Sequence, residues 1–233
     1  MTAIDVKAET AAGATRIRTF AFSYLTYAAF YLTRLNFAAA LPSMGSELGY
    51  PKLLFGLMGG CFSAVYALGL IVNGRMVERL GAKKLITLGL IASATVNILF
   101  GYAELAIAMV VLWAINGYAQ STGWPSVVKI VIDWFSGGSR GKVGGIFGTC
   151  FLAGSMAALA LSGFIQAEFG WRALFTLPSL VVIASTIPFS AFVRERMEVA
   201  TAGHGMKPDR KSILSREVLT IVAAYVLLQI VRS

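Results

Sequence analysis

Long runs of apolar residues separated by short polar segments make up most of the chain from residue 20 onward. An α-helix rises 1.5 Å per residue, so about 20 apolar residues cross the roughly 30 Å hydrocarbon core of a bilayer. The runs of this kind cover residues 20–42, 53–74, 85–102, 105–132, 143–165 and 173–193. They lack the alternation with period two that transmembrane β-strands show. The pattern therefore predicts six membrane-spanning helices.

A seventh apolar run begins near residue 218 and continues almost to Ser233. As a helix it would extend only about 21 Å, which is less than the hydrocarbon core. We therefore expect this chain to supply six helices and part of a seventh from a twelve-helix protein. The predicted order is a cytoplasmic N-terminus (1–19), a six-helix transmembrane bundle (20–193), a cytoplasmic linker (194–217) and the start of the seventh helix (218–233).

The composition excludes a soluble domain. Hydrophobic residues make up 57% of the chain and charged residues 13%, against about 45–50% and about 25% in soluble proteins. A soluble domain of this size has too much surface to cover with so few polar residues. The chain is therefore predicted to be an all-α membrane protein.

Basic residues are distributed unevenly between alternate loops. The N-terminal segment and the second, fourth and sixth loops hold fifteen of the 20 lysines and arginines, whereas the other loops hold only Lys52 and Arg172. Short cytoplasmic loops carry the excess of basic residues in membrane proteins. The alternation predicts a cytoplasmic N-terminus and supports the helix count. It also explains the net charge of +9 without a nucleic-acid partner.

Three basic residues remain inside the predicted spans. Lys129 lies near the cytoplasmic end of the fourth span, where a long side chain can reach the headgroups, and we expect a structural role for it. Arg34 lies well inside the first span and Arg232 lies in the seventh. A charge at the bilayer centre costs at least about 2.5–3.5 kcal/mol on insertion scales, so both arginines are candidate functional residues. Snorkelling of Arg34 toward the outer surface is the alternative.

Arg34 shares one helical stripe with two tyrosines. Tyr27, Tyr31 and Arg34 occupy positions i, i+4 and i+7, and the seventh run repeats this spacing with hydrogen-bonding residues at 225, 229 and 232. Equivalent first and seventh helices are expected of two parallel six-helix repeats. Since the spans contain no Asp or Glu, two arginines facing one cavity suit a phosphate or carboxylate ligand. The alternative is a structural pair of arginines bonded to backbone carbonyls.

Four segments carry a family resemblance. They are residues 31–44 around Arg34, residues 74–85 (GRMVERLGAKKL), residues 120–129 (QSTGWPSVVK) and Arg232. These segments resemble the major facilitator superfamily, and more narrowly its organophosphate/phosphate antiporters of the glycerol-3-phosphate and hexose-phosphate transporter type. The resemblance covers nearly the whole chain and implies a major-facilitator-type six-helix bundle, the N-terminal half of a transporter, together with the start of helix seven.

The resemblance also implies a substrate site. Its residues in this sequence are Arg34, Arg232, Tyr27, Tyr31 and Tyr66. Two positions depart from the family: Leu70 stands where these antiporters have a lysine in helix two, and Phe151 where they have a histidine in helix five. Both of those family residues assist phosphate binding. The expected substrate is therefore a small organic anion, either phosphorylated or carboxylated.

The loop between the second and third spans is similar to the gating motif of the superfamily. The matching residues are Gly74, Glu78, Arg79, Gly81 and Lys83. Glu78 replaces the more usual Asp, and Gly81 permits a sharp turn after the second helix. We expect the charges of Glu78 and Arg79 to pair across the cytoplasmic face and to latch the bundle in one state. Positive-inside anchoring is the alternative.

The remaining conspicuous residues are expected to act in packing. Residues 124–125, a Trp-Pro pair, predict a helix kink. Gly144 and Gly148 form a small-xxx-small pair suited to close packing of the fifth helix. Cys61 and Cys150 lie inside apolar runs and belong to no metal-ligand spacing, so we expect packing roles and no metal.

These observations favour a secondary transporter that works by alternating access. Exchange is favoured over proton symport because the spans hold neither a carboxylate nor a histidine. The alternatives are a proton- or sodium-coupled sugar-acid or carboxylate symporter, and a non-transporting membrane sensor of the same fold. No nucleophile is paired with a base, so neither an enzyme nor a cofactor is predicted. The expected partners are a small anionic substrate, the lipid bilayer of the cell membrane and a C-terminal half, with the oligomeric state open.

Overall fold

The structure, a computed structural model, describes residues 3–135, 137–193 and 195. Nearly all of these residues are helical, and the described part contains no strand. The elements are α1 (Ala3–Ala29), a 3₁₀ turn (Phe30–Thr33), α2 (Asn36–Leu48), α3 (Lys52–Leu80), α4 (Ala82–Tyr102), α5 (Ala106–Gln120), α6 (Gly123–Trp134), α7 (Gly137–Gly148), α8 (Cys150–Phe169) and α9 (Ala173–Phe192).

The six predicted spans are present, but three of them are interrupted. Helices α3, α4 and α9 are each long and apolar enough to cross a membrane, as is the α7–α8 segment. The first span consists of α1, the 3₁₀ turn and α2, and the fourth consists of α5 and α6. The helix of the first span begins at Ala3, well before the predicted start at residue 20. The predicted seventh helix, at 218–233, lies outside the described residues.

Side-chain hydroxyls mark the interruption of the fourth span. Ser121 Oγ donates to the carbonyl oxygen of Tyr118 at 2.6 Å, and Thr122 Oγ1 donates to that of Ala119 at 2.8 Å. Such bonds to the preceding turn compete with the helical ladder. The break therefore falls between α5 and α6, just before the predicted kink, and Pro125 lies in the first turn of α6, where its missing N–H costs least.

Two apolar clusters fill the bundle, one toward each end. The inner apolar cluster, at the predicted cytoplasmic end, includes Phe30, Ile86, Leu90, Val127 and Phe189. The outer apolar cluster includes Met44, Met58, Phe100, Trp113 and Phe175. Along the first, third and fourth spans the inner cluster occupies one half and the outer cluster the other half, with buried polar residues between them. A polar layer therefore separates the two clusters.

The two ends of the bundle bring together different loops. At one end an ion pair joins Arg172, after the fifth span, to Glu47, after the first. At the other end Lys129, near the end of the fourth span, pairs with Glu78, which ends the second. Glu195, after the sixth span, accepts a hydrogen bond from the second loop. Odd and even loops therefore lie at opposite ends, as alternately directed helices require.

Glycine permits close helix contact at positions other than the predicted pair. A Cβ atom at Gly154 would lie 2.7 Å from the backbone oxygen of Ala28, so the fifth span packs tightly against the first. At Gly144 and Gly148 no described atom comes within 4 Å of such a Cβ. The packing role predicted for those two glycines is therefore wrong in the described part of the chain.

Candidate functional site

Arg34 follows the 3₁₀ turn at the point where the first span is interrupted. Its backbone N–H bonds to the carbonyl of Tyr31, three residues back, at 3.3 Å. The next helix, α2, begins at Asn36. A break of this kind is tolerated at membrane depth only where protein buries it or a cavity adjoins it. The half-buried arginine thus lies at an irregular point of the backbone rather than on a regular helix face.

Three side chains from three different spans contact the Arg34 guanidinium. The ring centroids of Tyr31 and Tyr66 lie 5.1 and 4.8 Å from its Cζ, within cation–π range. Its Nε donates a hydrogen bond to Oε1 of Gln120 at 3.1 Å. Among the described residues no carboxylate forms an ion pair with it. The charge of Arg34 is therefore not neutralised by this part of the protein.

Aromatic residues line the first span beside Arg34. The ring of Tyr27 is buried and lies 6.0 Å from that of Tyr31 and 5.8 Å from that of Trp124. The Phe151 ring, at the position of the family histidine, lies 6.4 Å from Tyr31. Trp124 is 44% exposed and stands beside a predicted site tyrosine, so its contacts extend beyond the helix kink expected of it.

The structure brings together four of the five predicted substrate residues. Tyr31 and Tyr66 touch Arg34, and Tyr27 stands behind Tyr31. Arg232 lies outside the described residues.

Uncharged polar residues form a further set of contacts that the sequence analysis missed. This central polar cluster consists of Thr33, Asn36, Ser93, Asn97, Asn116 and Gln120, each at most 1% exposed. It occupies the layer between the inner and outer apolar clusters. Four amide side chains within apolar spans were the available signal, because polar groups inside a membrane are expensive and need partners.

The central polar cluster satisfies the backbone at the break in the first span. The carbonyl oxygen of Thr33 accepts hydrogen bonds from Nδ2 of Asn97 at 3.2 Å and Nδ2 of Asn116 at 3.0 Å. The N–H of Phe37 is bonded to the side chain of Asn36 at 3.0 Å. An unsatisfied buried carbonyl or N–H costs about 1–3 kcal/mol. These side chains therefore allow the first span to be irregular where Arg34 is held.

The loop between α3 and α4 has the turn that the motif predicts. Gly81 has a positive φ of 83° and ends α3, while α4 begins at the next residue. Exposed Glu78 pairs with Lys129 at 3.3 Å rather than with a residue of its own loop. The backbone N–H of Lys83 donates to Oε1 of Glu195 at 2.6 Å. Gly74 and Arg79 are exposed, and Arg79 forms no ion pair with a described residue.

Lys129 is surrounded by carboxylates. Its Nζ lies 3.3 Å from Oε2 of Glu78 and 3.5 Å from Oδ1 of Asp133. Its side chain is 26% exposed, whereas that of Glu78 is 67% exposed. Lys129 therefore joins the ends of the second and fourth spans through ion pairs at the predicted cytoplasmic surface. This geometry agrees with the structural role expected of it.

The opposite end of the bundle carries a second ion-paired cluster. Nε1 of Trp171 donates to Oε2 of Glu47 at 2.7 Å, and Arg172 forms an ion pair with the same carboxylate. Arg172 also reaches Glu104 at 4.0 Å. The hydrogen bonds from Trp171 and Arg172 hold the pKa of Glu47 below its ordinary value.

Comparison with known proteins gives the family context of this site. The family model described as Major Facilitator Superfamily matches residues 23–232. A probable hexose phosphate transport protein of Chlamydia trachomatis is 30% identical over 72% of this chain and 37% of its own length. The membrane sensor protein UhpC of Salmonella typhimurium is 28% identical over 90% of this chain and 52% of its own. The glycerol-3-phosphate transporter of Bacillus subtilis is 26% identical over 92% and 52%.

This chain therefore spans about half, or less, of the length of these relatives. Among solved structures, a bacterial homologue of the human lysosomal transporter Spinster, in an inward-facing and unoccupied conformation, matches with a TM-score of 0.72. Its sequence identity is 18%, and the match covers 83% of this chain and 46% of that one. At this identity the likeness concerns the fold, and it confirms the predicted helical bundle.

Proposed function

The chain belongs to the Major Facilitator Superfamily, and we propose that it provides the Arg34 side of a transport site for small phosphorylated organic anions. The observation that carries the proposal is the state of Arg34, an arginine inside a predicted span with aromatic and amide neighbours and no described ion pair. A permanently charged group held in this way needs an anion to balance it. A guanidinium suits the oxygens of a phosphoryl group through bidentate, charge-assisted bonds.

Phosphate esters are the favoured anions within this class. Two of the relatives are named for hexose phosphate and glycerol 3-phosphate, and we carry that chemistry over to this chain as a proposal. Leu70 and Phe151 stand where the resembling antiporters have a lysine and a histidine. Arg34 is therefore the one cation in the described half of the site. We therefore expect a second cation to complete the site, and Arg232 is the candidate by its spacing from Tyr225 and Gln229.

The mechanism that we propose is exchange by alternating access. The described spans contain no carboxylate that faces Arg34 and could carry a coupling proton. Inorganic phosphate leaving on one side and a phosphate ester entering from the other would keep the arginine occupied in both orientations. The Glu78–Lys129 ion pair at the predicted cytoplasmic end would close one state of the bundle and open in the other.

The proposal is tested with the complete gene product in liposomes loaded with inorganic phosphate. We expect uptake of labelled glucose 6-phosphate or glycerol 3-phosphate that requires internal phosphate and that unlabelled phosphate inhibits. Glucose and glycerol, which lack the anion, should not compete. Uptake driven by a proton gradient without internal phosphate would replace exchange by symport. Unimpaired competition by the neutral sugars would overturn the anion site itself.

A membrane sensor is the second candidate function. The observation that favours it is the likeness to the membrane sensor protein UhpC over 90% of this chain. A sensor would bind the phosphate ester at Arg34 without moving it across the membrane. Calorimetric binding of glucose 6-phosphate by the purified protein, together with no exchange in the liposome assay, would favour the sensor over the transporter.

A further inference from the structure

We propose that Gln120 is a positioning residue for the candidate anion site. By holding the Nε side of the Arg34 guanidinium, Gln120 leaves the Nη1–Nη2 edge to bind the substrate. The inference rests on the proposed function, because it concerns the same arginine. Gln120 acts through Arg34. The family resemblance and the predicted site residues assign it no such part.

The hydrogen bond between the two residues selects one edge of the guanidinium. Arginine has five N–H donors in a planar fork, and an oxyanion can approach either the Nε side or the two terminal nitrogens. In this structure Arg34 Nε donates to Gln120 Oε1 at 3.1 Å. The terminal nitrogens make no hydrogen bond to a described residue. The Nη1–Nη2 edge therefore keeps both of its donors for two oxygens of one anion.

The orientation of the Gln120 amide is itself fixed by its surroundings. Its Nε2 lies within hydrogen-bond distance of Phe30 O at 3.2 Å, Thr33 Oγ1 at 3.0 Å and Ser93 Oγ at 2.9 Å. A reversed amide would place Oε1 against the Phe30 carbonyl oxygen and a donor against Arg34 Nε. Both contacts are repulsive, so only the present orientation satisfies the network. Gln120 is also only 1% exposed, so its amide is held by protein groups and not by bulk water.

The position of the guanidinium is fixed by contacts from three spans. Tyr31 precedes Arg34 on the first span, Tyr66 comes from α3, and Gln120 is the last residue of α5. A side chain held in this way loses little freedom when an anion binds, so more of the interaction appears as affinity. Gln120 thus links the break in the fourth span to the break in the first, and it orients the Arg34 guanidinium at that break.

A double-mutant cycle measures this coupling. Four forms of the complete gene product are needed: the unmodified protein, Arg34→Lys, Gln120→Met and the double variant. Binding of inorganic phosphate is measured by calorimetry in detergent micelles. With Gln120 in place, Arg34→Lys should weaken binding about tenfold, because the fork is lost. In the background of Gln120→Met the same change should cost at least about threefold less, since contacting residues are coupled.

The matched control is Gln166→Met. Gln166 also joins two spans through its amide, donating to Ser43 Oγ at 2.6 Å, but it lies outside the central polar cluster and has no described contact with Arg34 or Gln120. A cycle of Gln166→Met with Arg34→Lys should therefore be additive. A role of Gln120 that is merely structural would give the same additivity in both cycles, and that result would overturn the positioning role.

A second variant covers the case in which Gln120→Met does not fold. Gln120→Glu keeps the side-chain length and places a carboxylate on Arg34 Nε, which would neutralise the charge that the anion needs. Phosphate binding should then fall at least about tenfold in protein that still unfolds in one cooperative thermal transition. The midpoint of that transition should be lower than in the unmodified protein, because the second carboxylate oxygen faces the carbonyl oxygen of Phe30. Binding as tight as that of the unmodified protein would overturn the proposal.

The failures of the two proposals are distinguishable. If Arg34→Ala binds phosphate as well as the unmodified protein does, the anion site at Arg34 is wrong and the proposed function falls with it. If the Arg34 variants weaken binding but the Gln120 cycle is additive, the anion site stands and only the positioning role of Gln120 is wrong.

Discussion

Arg34 and Lys129 are both basic residues inside predicted spans, and the structure surrounds them with opposite chemistry. Arg34 is contacted by two tyrosine rings and one amide, all of them uncharged. Lys129 lies within 4 Å of two carboxylates, those of Glu78 and Asp133. One cation is held without an internal counter-ion, whereas the other is already neutralised at the surface.

This difference separates a binding group from a structural one. An ion pair at the membrane surface contributes about 0–1 kcal/mol, because water screens it and two long side chains must be ordered. A buried charge that lacks its partner is far more costly and is retained where a ligand balances it. The counter-ion, rather than the depth of the residue in the span, therefore decides which basic residue is the candidate for function.

Removing each charge in turn should give the largest contrast. We expect Arg34→Ala to weaken the binding of inorganic phosphate by about ten- to hundredfold, the loss of about 1.5–3 kcal/mol typical of a charge-assisted hydrogen bond. Arg34→Lys should lie in between, since it keeps the charge and loses the fork. Lys129→Ala should change the affinity less than about fivefold. Binding is measured by calorimetry on the complete gene product. Equal losses of affinity for Arg34→Ala and Lys129→Ala would contradict the separation of a binding arginine from a structural lysine.

The central polar cluster should contribute more to the stability of the fold than the ion pairs of Lys129 do. Asn116 Oδ1 accepts from Ser93 Oγ at 2.7 Å, and its Nδ2 donates to the Thr33 carbonyl. Asn116→Leu removes both bonds between buried partners, so we expect the free energy of unfolding to fall by about 1–3 kcal/mol. Lys129→Met should lower it by less than about 1 kcal/mol. Chemical denaturation in detergent micelles measures both, and a larger loss for Lys129→Met would contradict the ranking.

Much of the architecture could be predicted from the sequence, because apolar run length and loop charge report directly on the bilayer. The six spans and the turn at Gly81 follow from such local signals. A kink was expected at residues 124–125, close to the break in the fourth span, but the interruption of the first span could not be predicted in this way. It is stabilised by Asn97, Asn116 and Gln120, which reach it only after folding has brought distant segments together.

The candidate site shows the same division. Arg34 was found because a charge inside an apolar run is visible in one segment of sequence. Gln120 was missed because an amide costs less and draws attention only when its partners are known. Likewise Lys129 and Glu78 belong to different spans, so their pairing became visible only in three dimensions. For the glycines at 144 and 148, spacing alone does not tell which helix face has a neighbour, and no described residue packs against them.

Neutralising Glu78 should affect transport rate and leave anion binding unchanged. The Glu78–Lys129 pair shares no described contact with Arg34, and it holds the ends of two spans together. We expect Glu78→Gln to change the exchange rate in liposomes by up to about fivefold, the equivalent of about 1 kcal/mol in the balance between two states. Arg75→Gln, in the same exposed segment and without a described ion pair, is the matched control. A changed phosphate affinity in Glu78→Gln would mean that the two regions are coupled.

The smallest expected effect concerns acidity at the outer end, where Glu47 is ion-paired as Lys129 is at the inner end. Hydrogen bonds from Trp171 and Arg172 hold the pKa of Glu47 below its ordinary value of 4.5. A lowered pKa in the folded protein means that the carboxylate adds stability above pH 4.5, and that this contribution is lost as the pH falls through the lower folded value. The thermal unfolding midpoints of the unmodified protein and Glu47→Gln should therefore differ at about pH 7 and converge below pH 4.5. Asn116→Leu provides the contrast, because the central polar cluster contains no carboxylate. Its unfolding midpoint should therefore stay below that of the unmodified protein by the same amount over the same pH range. If the stability losses of Glu47→Gln and Asn116→Leu both disappear in acid, the pH dependence does not come from the Glu47 carboxylate, and the contrast between the ion-paired end and the central polar cluster is wrong.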